Sequence, residues 1–181
     1  MTFFQNIELL ETDKFQYLLI HKNASCSVKE TIKSLNPILS TKINLTKVRW
    51  TVIRDPYERF ISGIKYDLIR QNLNIKDIDI NCLYNSKINL FSSGNGNVTH
   101  TASQVPYLIN SCIDWYIELK NLNNFLKIHF NNVSYENINH KSIELNLDKN
   151  EIMKHLDLDY FIYNSILNSD YLWKWQHGRI F

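Results

Sequence analysis

The apolar and polar positions divide the chain into alternating strand-like and helix-like segments. Phe15 is followed by Tyr17, Leu18, Leu19 and Ile20, a short apolar run that predicts a strand buried on both faces. It stops at His21-Lys22-Asn23-Ala24-Ser25-Cys26-Ser27, small and polar residues that predict a tight turn. Ser25 or Ser27 is then expected to cap a helix over 28–35, ended by Asn36-Pro37. Residues 1–14 read as a lead-in, either an edge strand or an arm, and 38–47 as a polar connection. A second strand, Val48-Arg49-Trp50-Thr51-Val52-Ile53, is rich in β-branched and aromatic residues. It runs directly into a written helix start: Asp55 as N-cap, Pro56 at the first helical position, Glu58 completing a capping box. Phe60, Ile61, Ile64, Leu68 and Ile69 fall on one face of that helix, and Ser62 points away from Phe60 and Ile64.

The second half is less regular. Residues 71–99 form a variable insert that holds the loop-like cluster Ser92-Ser93-Gly94-Asn95-Gly96-Asn97. Residues 105–109 read as a strand or turn, 114–119 as a third strand and 122–130 as a helix. Residues 131–148 are polar and irregular, and helices are expected over 149–155 and 160–173. Repeated strand-to-helix alternation without a linker predicts one α/β domain over 1–181, with a small parallel sheet flanked by helices. Ligands of such sheets bind beyond the carboxyl ends of the strands, where Lys22 and Arg54 fall. Each is followed by a helix N-terminus, so two anionic groups are the expected cargo. The first turn lacks the glycines of the G-x-x-x-x-G-K-[ST] phosphate loop.

Composition narrows the field. The net charge of +2 is spread along the chain, and no basic block exists to bind nucleic acid. Three separated cysteines, Cys26, Cys82 and Cys112, read as reduced thiols and suggest no metal cluster. The first residues show neither a secretory signal nor a membrane anchor, so a cytoplasmic protein is expected. Heavy use of Asn, Ile and Lys suits an AT-rich genome.

The two strand-to-helix junctions resemble the cofactor signatures of sulfotransferases that use 3′-phosphoadenosine 5′-phosphosulfate (PAPS), most closely the carbohydrate branch known as sulfotransferase family 2. The segment from Leu18 to Ser27 is similar to the first motif, with His21 where the family carries proline. Arg54-Asp55-Pro56-Tyr57-Glu58-Arg59-Phe60, with Ser62 two residues on, matches the second nearly letter for letter. His100 and Gln104 resemble a His-x-x-x-Gln motif, and Asp114 to Leu122 a later strand and turn. Asp170-Tyr171-Leu172-Trp173 looks like the closing helix. Lys120 stands where a glutamate is common.

The resemblance implies a P-loop-NTPase-like three-layer fold and a metal-independent sulfuryl transfer to a hydroxyl, most simply on a carbohydrate. A missing membrane anchor would suit a bacterial or viral member. By the same resemblance, Lys22 and the turn through Asn23, Ala24, Ser25, Cys26 and Ser27 hold the 5′-phosphosulfate. Arg54 and Ser62 hold the 3′-phosphate, His100 is the catalytic base, and Lys22 neutralises charge on the bridging oxygen as the nucleotide leaves. Two other readings stand beside it: a nucleotide kinase or NTPase with a degenerate phosphate loop, and a non-catalytic nucleotide- or glycan-binding module.

Overall fold

The computed structural model describes residues 7–72, 103–130, 145 and 147–173. Within them the chain is an α/β protein built on a five-stranded mixed sheet. The strands are β1 (Leu9–Glu11), β2 (Phe15–Leu18), β3 (Ile38–Ser40), β4 (Val48–Ile53) and β5 (Trp115–Glu118). The helices are α1 (Ser25–Thr31), α2 (Pro56–Gln71), α3 (Val105–Asn110), α4 (Leu122–His129), α5 (Lys149–Lys154) and α6 (Asp157–Leu167).

The spatial order is β3-β1-β2-β4-β5. β2, β4 and β5 run parallel, whereas β1 is antiparallel to both β2 and β3. The sheet is therefore mixed, which corrects the reading of it as parallel. The cause is local. Only Thr12-Asp13-Lys14 separates β1 from β2, and so short a link can close only a hairpin. The Thr12 N–H donates to Phe15 O at 2.9 Å, and the Phe15 N–H returns a bond to Thr12 Oγ1 at 3.2 Å. β1 thus lies inside the sheet, not at its edge. The edge on that side is β3, within what reads as a polar connection.

Strand alternation sends side chains to both faces. Tyr17, Leu19, Trp50, Val52 and Ile117 pack with Val28, Ile32, Leu122, Phe125 and Leu126 of the α1 and α4 side. Tyr17 stacks on Trp50 at a centroid distance of 4.4 Å, a pairing worth about 0.5–1.5 kcal/mol beyond its buried area. Leu18, Ile20, Ile53 and Tyr116 face the other way, against Leu108 of α3 and Ile166 of α6. Phe60, Ile64 and Leu68 bury the inner side of α2 against Ile152 and Leu156, while Ile69 is exposed.

Asp55 caps α2 as its sequence predicts, with Oδ1 accepting from the Glu58 N–H at 3.0 Å and Pro56 in the first turn. Three other elements differ from expectation. Residues 105–110 are helical, because Pro106 suits a first turn and Ser103 Oγ accepts the Val105 N–H at 3.1 Å. The last helix spans Asp157–Leu167 rather than 160–173; Ser169 Oγ donates to Ile166 O at 2.8 Å and the chain turns back. Residues 171–173 then pair with the far side of β5 through Tyr116, so the expected closing helix at 170–173 is instead a turn followed by a single bridge at Leu172. α1 begins at Ser25, three residues early, with Ala24 as its N-cap. The insert beyond residue 72 and most of 131–148 lie outside the described residues. Among the described residues no helix is long and apolar enough to cross a membrane.

Candidate functional site

Parallel pairing of β2 and β4 brings their carboxyl ends to one edge of the sheet. The turn after β2 makes two left-handed excursions, at Lys22 (φ 66°) and Ala24 (φ 63°). Neither is glycine, and each such residue costs roughly 1–2 kcal/mol. Asn23, fully buried between them, holds the shape. Its N–H donates to Ile20 O at 3.1 Å, and its Nδ2 donates to Val52 O and Gln104 Oε1, both at 2.8 Å. The Tyr17 hydroxyl donates to its carbonyl at 3.4 Å. Expected to line a ligand, the Asn23 amide nitrogen instead braces the turn from below; its Oδ1 has no hydrogen-bond partner.

Two guanidinium groups from the β4–α2 junction hold consecutive carbonyls of this turn. Arg54 Nη1 donates to Lys22 O at 3.4 Å, and Arg59 Nε donates to His21 O at 3.2 Å. Lys22 and Arg54 therefore stand together, as their places at strand tips predict. The Lys22 ammonium lies 3.5 Å from the centroid of the Tyr66 ring. Ser62, half-buried, sits one helical turn before Tyr66 and so shares its side of α2. Arg54 Nε is buried without a hydrogen-bond partner, its nearest carboxylate being Glu58 Oε2 at 3.6 Å. That contact replaces the return bond of a capping box. Arg59 is 3% exposed, and burial pulls its pKa down to about 10 against the opposing pull of Asp159. It remains a cation at neutral pH.

The neighbouring residues divide by face. Ser25 and Ser27 are buried, at 7% and 6% exposure, while Cys26 is exposed. Neither serine caps α1, because Ala24 occupies the cap position and no side chain bonds there. His21 and Cys26 are exposed and Lys22 is half-buried, so these residues rather than the two serines form the surface of the turn. Lys120, in the glutamate's expected place, pairs with Glu118 at 2.8 Å at the tip of β5. His100 lies outside the described residues.

Three residues at the site carry more than their sequence suggests. Gln104 is fully buried, and its Nε2 donates to Arg54 O at 3.2 Å. Asp159, 5% exposed, accepts the Gln104 N–H at 3.2 Å. Tyr160 donates its hydroxyl to both carboxylate oxygens of Asp55, at 3.2 and 3.1 Å. Burial first and the Asp55 charge second push the Tyr160 phenol up to about 12. Only Gln104 has a sequence signal, its place in the His-x-x-x-Gln spacing; the others depend on how α6 docks.

No family model, no curated protein and no solved structure matches this chain. The site's chemistry rests on its own side chains. Among the described residues no group of three or more His, Cys, Asp or Glu could hold a metal ion. What the rim offers is positive charge: Lys22 and Arg54 at the surface, with Arg59 beneath them.

Proposed function

We propose that this chain is a sulfotransferase, moving a sulfuryl group from PAPS to an acceptor hydroxyl on a carbohydrate and releasing adenosine 3′,5′-bisphosphate (PAP). The proposal includes a P-loop-NTPase-like three-layer arrangement around the parallel strands. The observation that carries it is the meeting of Lys22 and Arg54 at adjacent parallel strand tips, bonded through Lys22 O at 3.4 Å. Arg54 Nε–H makes no hydrogen bond and only a 3.6 Å ion pair with Glu58, which leaves the guanidinium able to take an anionic oxygen, so the residues present fit a phosphorylated nucleotide.

Bound PAPS supplies a sulfuryl group already activated by its phosphate leaving group. Lys22 places a full positive charge at the turn and offsets negative charge that develops there. Backbone N–H groups from Ser25 to Ser27 add partial positive charge at the start of α1. Arg54, with its planar fork, and the Ser62 hydroxyl bind the 3′-phosphate that separates this nucleotide from ATP. His100 takes the proton of the acceptor hydroxyl, since an imidazole with an ordinary pKa near ~6.5 is a competent base at neutral pH.

Thermal unfolding with nucleotides tests the reading. At about 100 times its dissociation constant, PAP should stabilise by about 2.7 kcal/mol. In a chain of this size that raises Tm by roughly 5–11 °C. ADP at the same concentration should do much less, and labelled sulfate should pass from PAPS to a glycan acceptor. A Tm unmoved by PAP, or moved equally by ADP, overturns the proposal.

A further inference from the structure

Gln104 joins the Lys22 turn to the Arg54 turn from the buried side, beneath the direct bonds that Arg54 and Arg59 make to Lys22 O and His21 O. Its amide is used at both ends. Oε1 accepts from Asn23 Nδ2 at 2.8 Å, and Nε2 donates to Arg54 O at 3.2 Å. Its own N–H is fixed by Asp159 Oδ1 at 3.2 Å. Asn23 is anchored in turn to Val52 O of β4 at 2.8 Å. All of these residues except Arg54 are buried, and of the bonds in the set the one to Arg54 O alone is part-buried. A planar amide bonded at both ends acts as a spacer of fixed length. Asn23 cannot move relative to Arg54 without breaking one of these bonds, and Lys22 is adjacent to Asn23 in the chain.

We infer that Gln104 is a positioning residue that sets the distance between the Lys22 turn and Arg54, selecting ligands with anions at both ends. This rests on the functional reading above and adds a source for its selectivity. A ligand with one phosphate needs only one turn and tolerates a change in their separation. A ligand with two gains from the second contact only when the separation matches its own length. Loosening the spacer therefore removes the advantage of the doubly phosphorylated nucleoside and leaves single-phosphate binding nearly intact.

The test uses the full chain and titration calorimetry with three probes: PAP, adenosine 5′-monophosphate and adenosine 3′-monophosphate. Gln104→Met keeps side-chain length and removes both bonds. Thr51→Val is the control; Thr51 is fully buried and its hydroxyl donates to Leu18 O at 2.9 Å, a bond that involves neither Gln104 nor Asn23. Gln104→Met should weaken PAP binding about tenfold or more and each monophosphate less than about threefold. Thr51→Val should lower Tm but leave the ratios of the three affinities unchanged. If Gln104→Met does not fold, Gln104→Glu serves instead. Its carboxylate still accepts from Asn23 and cannot donate to Arg54 O, so the same pattern is expected. Equal losses for all three probes, or undiminished PAP binding, overturn the inference and leave the functional reading in place. An unaltered protein that binds none of the probes removes both.

Discussion

Arg59 holds a full charge where only 3% of the residue meets solvent, and it anchors the turn that carries Lys22. Burial opposes that charge, as its pKa of about 10 records, and the Asp159 charge supports it. Arg59→Met keeps the length and apolar stem of the side chain. It removes a positive charge that acts on Asp159 through space and leaves His21 O without its Arg59 donor. Stranding the part-buried His21 carbonyl costs about 1–3 kcal/mol, which lowers Tm by roughly 2–12 °C in a chain of this size. Asp159→Asn should be similarly costly for the opposite reason. The double variant removes both charges, so its loss should fall short of the sum of the single losses by about 1–3 kcal/mol. Urea unfolding followed by tryptophan fluorescence measures all four proteins, with Trp50 fully buried as a reporter. Single losses below about 1 kcal/mol, or strict additivity in the double variant, would refute the coupling of these charges and the anchoring role of Arg59.

Other expectations follow from the same geometry. Asp55→Ala removes both the α2 cap and the acceptor for Tyr160, and should cost about 1–2 kcal/mol, while Asp55→Asn costs less. Equal stability of the alanine variant and the parent protein would contradict the cap assignment. Burial alone would raise the Asp114 pKa, but bonds from Arg49 at 2.7 and 2.9 Å bring it below its ordinary 3.8. Its stabilisation is therefore complete above that value and is lost as pH falls through the lowered pKa. Asp114→Asn should flatten this acid limb of an unfolding profile slightly, the side chain being 38% exposed. An unchanged limb contradicts the assignment. Lys22→Met and Arg54→Met should each weaken PAP binding about tenfold or more. Arg54→Met alone should also abolish the preference for PAP over adenosine 5′-monophosphate, and retained preference would remove Arg54 from the 3′-phosphate.

The junctions were readable because their signals are local. An apolar run ending at His21 and another ending at Ile53 specify strand tips, and Asp55-Pro56 specifies a helix start through its own backbone chemistry. Pairing partners were not readable, since β1 and β3 are three residues each and their direction follows from a short hairpin link. Residues 105–110 looked strand-like because Val105, Leu108 and Ile109 are apolar; the Ser103 bond to Val105 that starts the helix is a single side-chain choice. At the site, Lys22 and Arg54 were legible as cations at strand ends. The burial of Ser25 and Ser27 was not, because both lie inside α1, which starts three residues before its apolar pattern does. Arg59, Asp159 and Gln104 are polar residues whose burial depends on α6 and the start of α3 closing over α2. No local pattern carries that information.

Crystallising the protein with adenosine 3′,5′-bisphosphate tests the central claim most directly. A single nucleotide should span the two tips, its 5′-phosphate against Lys22 and the start of α1 and its 3′-phosphate against Arg54 and Ser62. Nucleotide bound elsewhere, or with both phosphates remote from Lys22 and Arg54, would contradict the account.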